Sequence, residues 1–132
     1  MIGALVVTHG QLAQELVAAA EMIVGEISHI QAVSIGWHDD VNDAHKEIER
    51  RLGEVNDGSG VLLLTDMFGG TPSNIAISFH DPGKVDVITG VNLPMIIKIA
   101  NQKEAESLDS LARTVRDQGR ASISRATDFL AS

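Results

Sequence analysis

Two short runs of this chain are apolar at almost every position, and they limit the possible folds more than anything else in it. Residues 2–8, IGALVVT, contain Leu5-Val6-Val7, and residues 60–66, GVLLLTD, contain Val61-Leu62-Leu63-Leu64. Successive side chains of a strand point to opposite faces, so a strand apolar at every position must be covered on both sides. Each run is followed within a few residues by helical spacing. After the first, Leu12, Leu16, Ala19/Ala20 and Ile23 recur on one helical face, and Gly25 is placed as a stop.

The same alternation continues along the chain. ISHIQAVSI, 27–35, alternates apolar and polar, as a strand near a sheet edge does. DDVNDAHKEIERRLGEV, 39–55, is a helix pattern with Val41, Ala44, Ile48, Leu52 and Val55 on one face, where Glu47 and Arg51 can pair on the solvent side. TPSNIAISF, 71–79, opens a helix with Thr71 as N-cap and Pro72 at the first helical position. KVDVITG, 84–90, is a fourth strand, and NLPMIIKIANQ, 92–102, is a buried helix capped by Asn92. SLDSLARTVRDQG, 107–119, is an amphipathic helix that Gly119 ends. In the segment 120–129 Ser/Arg alternates against Ala/Ile, which reads as a short strand, with a last helix turn as the alternative. Regular strand–helix alternation predicts an α/β sandwich of three layers around a mainly parallel sheet, joined by right-handed crossovers. At 132 residues the chain reads as one domain, 1–132.

Composition narrows the function. The apolar fraction is 44% with only 3% aromatic, so the core is built from Val, Ile, Leu and Ala. The sequence has no cysteine, which removes disulfides, thiolate zinc sites and a cysteine nucleophile. It has no apolar stretch of membrane-span length and no basic leader, and is expected in the cytoplasm. A formal net charge of −8 argues against nucleic-acid binding and favours basic protein partners.

In a parallel α/β sheet, ligands lie beyond the carboxyl ends of the strands, where the winding reverses. The chemistry is therefore expected in loops 8–11, 36–41, 66–72 and 90–94. His9 ends the first apolar run and precedes a helix, where the uncharged form of an imidazole is favoured. Such a ring is a nucleophile towards phosphorus or a general base. Asp66 ends the third strand as His9 ends the first. If those strands are neighbours, as in the 2-1-3-4 winding of flavodoxin-like sheets, the carboxylate accepts from Nδ1–H of His9 and aims Nε2 outward. Gly69-Gly70 followed by Thr71 forms an anion cradle of backbone N–H groups and a hydroxyl. His38, after Trp37, is placed to rim the pocket. His29, His45 and His80 show no compact metal-binding spacing. Met67, Phe68 and Met22 are candidate contacts for a protein partner, with packing as the alternative.

Together, THG at 8–10, AEMIVGE at 20–26, GVLLLTDMFGGTPSN at 60–74 and GVNLPM at 90–95 resemble the IIA domain of the mannose family of the bacterial sugar phosphotransferase system. The resemblance covers nearly the whole chain. It implies that His9 is a phosphoacceptor modified on Nε2, that Asp66 orients it, and that Gly69, Gly70 and Thr71 hold the phosphate. It implies further that phosphate arrives from the carrier protein HPr and leaves to a histidine of a IIB component, with no metal or cofactor. A homodimer that exchanges a C-terminal antiparallel strand is implied as well. The alternative within the resemblance is a regulatory phosphocarrier whose phosphorylation state is read by another protein, without sugar transport. A flavin-binding module is disfavoured by the scarcity of aromatic residues.

Overall fold

The structure, a computed structural model, describes residues 1–36 and 39–130; Trp37 and His38, the latter expected to rim the pocket, lie outside the described residues. Ten elements follow one another: β1 (Gly3–His9), α1 (Leu12–Val24), β2 (Ile30–Ile35), α2 (Val41–Val55), β3 (Val61–Thr65), α3 (Thr71–Ile77), β4 (Val85–Thr89), α4 (Leu93–Ala100), α5 (Leu108–Ala121) and α6 (Ala126–Leu130). The four strands are parallel in the order β2-β1-β3-β4. The expected winding and the three layers are therefore present.

The two apolar runs are the two central strands. Ala4 and Val6 of β1 with Leu62 and Leu64 of β3 pack against α1, α4 and α5. Leu5 and Val7 with Val61 and Leu63 pack against α2 and α3 on the other face. All eight have no exposed surface. Burying such side chains stabilises the fold by about 1.5–3 kcal/mol for each Val or Leu, which makes the central pairing the best-determined part of the sheet. β2, at one edge, keeps Gln31 and Ser34 half-buried, as its alternation predicts. β4 forms the other edge and is half-buried throughout.

Helix boundaries follow local chemistry. Asp40 caps α2, accepting from the N–H groups of Asn42 and Asp43 at 2.7 and 3.3 Å. Asn92 caps α4 and Ser107 caps α5. Glu47 and Arg51 pair at 2.9 Å across one turn of α2, as their spacing predicts. At α3 the N-cap is Gly70, so Thr71 is the first helical residue rather than the cap.

Two expectations at the C-terminal end are corrected. Gly119 does not end α5; the helix runs through it to Ala121. A Cβ there would stand 2.5 Å from Met95 Sδ, so this glycine lets α5 approach α4 closely, and its carbonyl accepts from Asn92 Nδ2 at 3.1 Å. The 120–129 segment is not a strand: it completes α5 and then forms α6. A strand needs a partner edge, and this segment satisfies its backbone locally. Ser122 N–H donates to the Gln118 carbonyl at 3.1 Å, Asp128 N–H donates to the Arg125 carbonyl at 2.9 Å, and Arg125 pairs with Asp128 at 2.7 Å. Ile123, Phe129 and Leu130 remain exposed. No helix among the described residues is long and apolar enough to cross a membrane.

Candidate functional site

β1 and β3 are hydrogen-bonded neighbours, with Val7 opposite Thr65. Their carboxyl ends therefore deliver His9 and Asp66 to the same point above the sheet. Asp66 Oδ2 lies 2.7 Å from His9 Nδ1 and also accepts from the His9 backbone N–H at 3.0 Å. Its second oxygen accepts from Met67 N–H at 3.0 Å. Burial pushes the Asp66 carboxyl upward, but the His9 ring, the His9 N–H, the His9 charge and the Met67 N–H together outweigh it and hold the group below its ordinary 3.8. The carboxylate only accepts, so in the neutral ring the proton sits on Nδ1 and the lone pair on Nε2.

The two partners differ in exposure as their geometry demands. The Asp66 side chain is 14% exposed, whereas that of His9 is 51% exposed. The carboxylate is thus held within the protein, and the ring it orients reaches solvent. On its other side the ring meets the glycine loop. A Cβ on Gly70 would lie 2.9 Å from His9 Cε1 and 3.3 Å from Nε2. Gly70 has a φ of −89°, open to any residue, so space and not backbone conformation requires glycine here. Gly69 differs, with a φ of +91° in the left-handed region. Gly10 is likewise left-handed at +55°, and its N–H donates to the Ile35 carbonyl at 3.1 Å, which makes it the turn glycine between β1 and α1.

The cradle expected at 69–71 is divided in its duties. Gly69 N–H is committed to Ser73 Oγ at 2.9 Å. Among the described residues no acceptor engages the N–H groups of Gly70 and Thr71, and Thr71 is exposed. Among the described residues these amides and the Thr71 hydroxyl are donors with no partner inside the chain.

Three polar residues are fully buried among the described residues, and all three adjoin this site: Thr8, Thr65 and Ser73. Thr8 Oγ1 accepts from Ala13 N–H at 2.8 Å, capping the first turn of α1, and donates to the His9 carbonyl at 3.2 Å. Ser73 Oγ donates to the Gly70 carbonyl at 2.9 Å while accepting from Gly69. Thr65 Oγ1 has no partner among the described residues. Sequence reasoning passed over the parts played by Thr8 and Ser73. The available signal was a hydroxyl residue immediately before His9 and another three positions after Gly70.

The other candidates are spread from the edge of the pair to the far end of α1. Met67 and Phe68 flank Asp66 and are 56% and 75% exposed. Met22 is exposed, but it stands ten residues along α1 from Leu12, about 15 Å at the helical rise. His45 stacks on Phe79 with ring centroids 4.3 Å apart, and His80 lies 3.8 Å from Asp86. His29 precedes β2, its Nε2 3.4 Å from the Ile99 carbonyl. No group of three or more His, Asp or Glu among the described residues is placed to hold a metal ion. A groove of about 460 Å³ lies elsewhere, between the free edge of β4 and α5, lined in part by Asp86, Thr89, Asn92, Arg113, Arg116 and Ile123. The His9 site is by contrast open, with its ring half exposed.

Comparison with known proteins gives a consistent picture. The family described as "PTS system fructose IIA component" (EIIA-man) matches residues 3–116. The fructose-specific EIIA component of the phosphotransferase system of Bacillus subtilis is 28% identical over 131 residues, 98% of this chain and 90% of that protein. The mannose-specific EIIAB component of Escherichia coli is 33% identical over 123 residues, 88% of this chain; the match spans only 36% of that longer protein. The crystal structure of phosphotransferase system component EIIA from Streptococcus agalactiae superposes with a TM-score of 0.86 at 26% identity, covering 97% of this chain and 99% of that one. The mannose/sorbose specific IIA subunit from Enterococcus faecalis superposes with a TM-score of 0.84 at 29% identity, covering 94% and 93%.

Proposed function

The chain belongs to the fructose/mannose IIA family of the sugar phosphotransferase system, and from that premise we propose that it is a cytoplasmic phosphocarrier, a single domain over 1–132, phosphorylated on His9 Nε2. The phosphoryl donor is the phosphohistidine of HPr and the acceptor a histidine of a IIB component in sugar uptake. The observation that carries this reading is the 2.7 Å contact between His9 Nδ1 and Asp66 Oδ2, in a ring that is half exposed and whose Nε2 has no partner among the described residues.

The transfer is an in-line displacement. The Nε2 lone pair of His9 attacks phosphorus, the P–N bond to the donor ring breaks, and its electron pair returns to the donor imidazole. The His9 ring keeps its Nδ1 proton and becomes positive, a charge that the Asp66 carboxylate offsets. N–H groups of Gly70 and Thr71, with the Thr71 hydroxyl, receive the phosphoryl oxygens, and Gly69 supplies the turn that presents them. Little covalent chemistry is left to the protein, so positioning and electrostatics carry the rate. The next transfer repeats the step with His9 as leaving group. Met67 and Phe68 lie where a protein donor must touch; a partner that also covers Met22 must extend along α1.

The homodimer belongs to the same proposal. β4 has a free edge beside the α5 groove, and Ile123, Phe129 and Leu130 are apolar residues without cover. A second copy seated on these residues and on the β4 edge would cover both.

The test is phosphate transfer from radiolabelled phosphoenolpyruvate through enzyme I and HPr, comparing the natural chain with His9→Ala. Acid-labile label lost only in the variant is the expected result. Label kept by the variant moves the site to another histidine, and no label in either chain overturns the phosphocarrier reading.

A further inference from the structure

Ser73 lies on α3, with no exposed surface, in a protein whose other fully buried polar residues among those described are two threonines. Its hydroxyl takes both hydrogen-bonding roles at once, accepting from Gly69 N–H and donating to the Gly70 carbonyl, each at 2.9 Å. Asn74 N–H reaches the same carbonyl at 3.0 Å. Gly69 and Gly70 are the residues with least intrinsic preference for one backbone conformation, and Gly70 lies so near the His9 ring that a Cβ on it would stand 2.9 Å from Cε1. A pair of glycines left to itself would sample many positions relative to that ring. We propose that Ser73 is a positioning residue for phosphoryl transfer: its Oγ ties Gly69 to Gly70, holding the Gly70 main chain as a wall against His9. The ring thus lies between Asp66 on Nδ1 and Gly70 near Cε1 and Nε2, which limits its rotation. A hydroxyl serving stability alone could be bonded anywhere in α3; this one is bonded only to the two glycines that meet the reactive ring and its anion site.

The inference rests on His9 as phosphoacceptor, and its test separates the two. Phosphoramidate, a small phosphorus–nitrogen donor, is used beside phospho-HPr, because it reports the intrinsic reactivity of His9 without a protein partner. In Ser73→Ala, with folding checked by circular dichroism, His9 phosphorylation by phosphoramidate is expected to slow about tenfold, as for a sub-ångström loss of alignment. The His9 ring nitrogens should shift in ¹⁵N NMR, and Ser73→Thr, which keeps the oxygen, should restore both. A merely structural role predicts a lower Tm with the folded variant reacting at the natural rate, which would overturn the proposal. The natural chain supplies a second check should the variants not fold: the Gly69 amide proton must exchange slowly with solvent, and exchange at open-loop rates likewise overturns it. Labelling of the natural chain by phosphoramidate but not by phospho-HPr would instead sink the partner assignment and leave the Ser73 comparison standing.

Discussion

Gly70→Ala is the most discriminating substitution at this site, because it adds one methyl group and changes little else. The new Cβ would stand 2.9 Å from His9 Cε1, against about 3.4 Å for ordinary contact, so ring and loop must part by roughly half an ångström. The loop is tied down by Ser73 and Asn74, whereas the ring is half exposed, so the ring yields. Its 2.7 Å bond to Asp66 then lengthens or tilts, and Nε2 is displaced with the ring. A misplacement of 1 Å can cost about a hundredfold in rate, so half of that corresponds to about tenfold. Stability should move the other way or not at all. A φ of −89° suits alanine, and replacing glycine where the backbone is compatible stabilises by about 0.4–1 kcal/mol through the unfolded chain. The expected signature is therefore a slower protein of equal or higher Tm. Rapid-quench phosphoryl transfer measures the rate, ¹⁵N NMR of the ring measures its displacement, and calorimetry measures the Tm. A variant that transfers phosphate at the natural rate with unshifted ring signals refutes the claim that Gly70 confines His9.

Asp66→Asn should slow phosphorylation by at least about a hundredfold with the fold retained, because a neutral amide neither fixes the Nδ1 tautomer nor offsets the ring charge; an unchanged rate removes the role assigned to Asp66. The same substitution tests the acid limb of stability. The Asp66 pKa is lowered on folding from 3.8, so its contribution is complete above that value and lost as pH falls through the lower folded one. Chemical denaturation of Asp66→Asn against pH should lack that part of the acid slope. Thr65→Val removes a buried hydroxyl with no partner and should stabilise by about 1 kcal/mol; destabilisation in urea titrations would mean that the hydroxyl is bonded after all. Transfer between this chain and phospho-HPr should slow as salt rises from 0.01 to 0.15 M, where the screening length falls from about 30 to 8 Å; a salt-independent rate in stopped-flow refutes electrostatic steering.

Much of the site was legible because the sheet left few choices. Strands apolar on both faces must be central, and parallel crossovers put all their carboxyl ends on one side. His9 and Asp66 therefore meet once β1 and β3 are adjacent. What escaped were contacts that exist only between elements. Gly119 has the look of a helix stop, and only the approach of Met95 shows that the missing side chain matters rather than the flexible backbone. Gly70 likewise reads as part of a cradle, while its tightest constraint comes from the His9 ring. Thr8 and Ser73 are ordinary helix-start residues in sequence; their full burial depends on loops folding over them. The alternation in 120–129 marks residues able to form a strand, but pairing is decided by an available edge, and within one chain the local helical bonds prevail.

The distribution of charge bears on why a carrier is built this way. Every lysine or arginine before Lys84 lies on α2, as Lys46, Arg50 and Arg51, and none occurs in loops 8–11, 36–41, 66–72 or 90–94. Arg50 and Arg51 are moreover paired with Glu47 at 2.7 and 2.9 Å. The phosphoryl group on His9 would thus be held by amides and a hydroxyl, with Asp66 bonded to the ring and no cation of the loops beside it. A resident arginine or lysine would bind the phosphorylated state more tightly, which deepens a ground state without lowering the barrier to leaving it. Cations brought by the donor or the acceptor act only while the partners are docked, when phosphorus is in flight. On the proposed function, such a site would be stable enough to be loaded and loose enough to unload, with the compensating charge supplied by the docked partner.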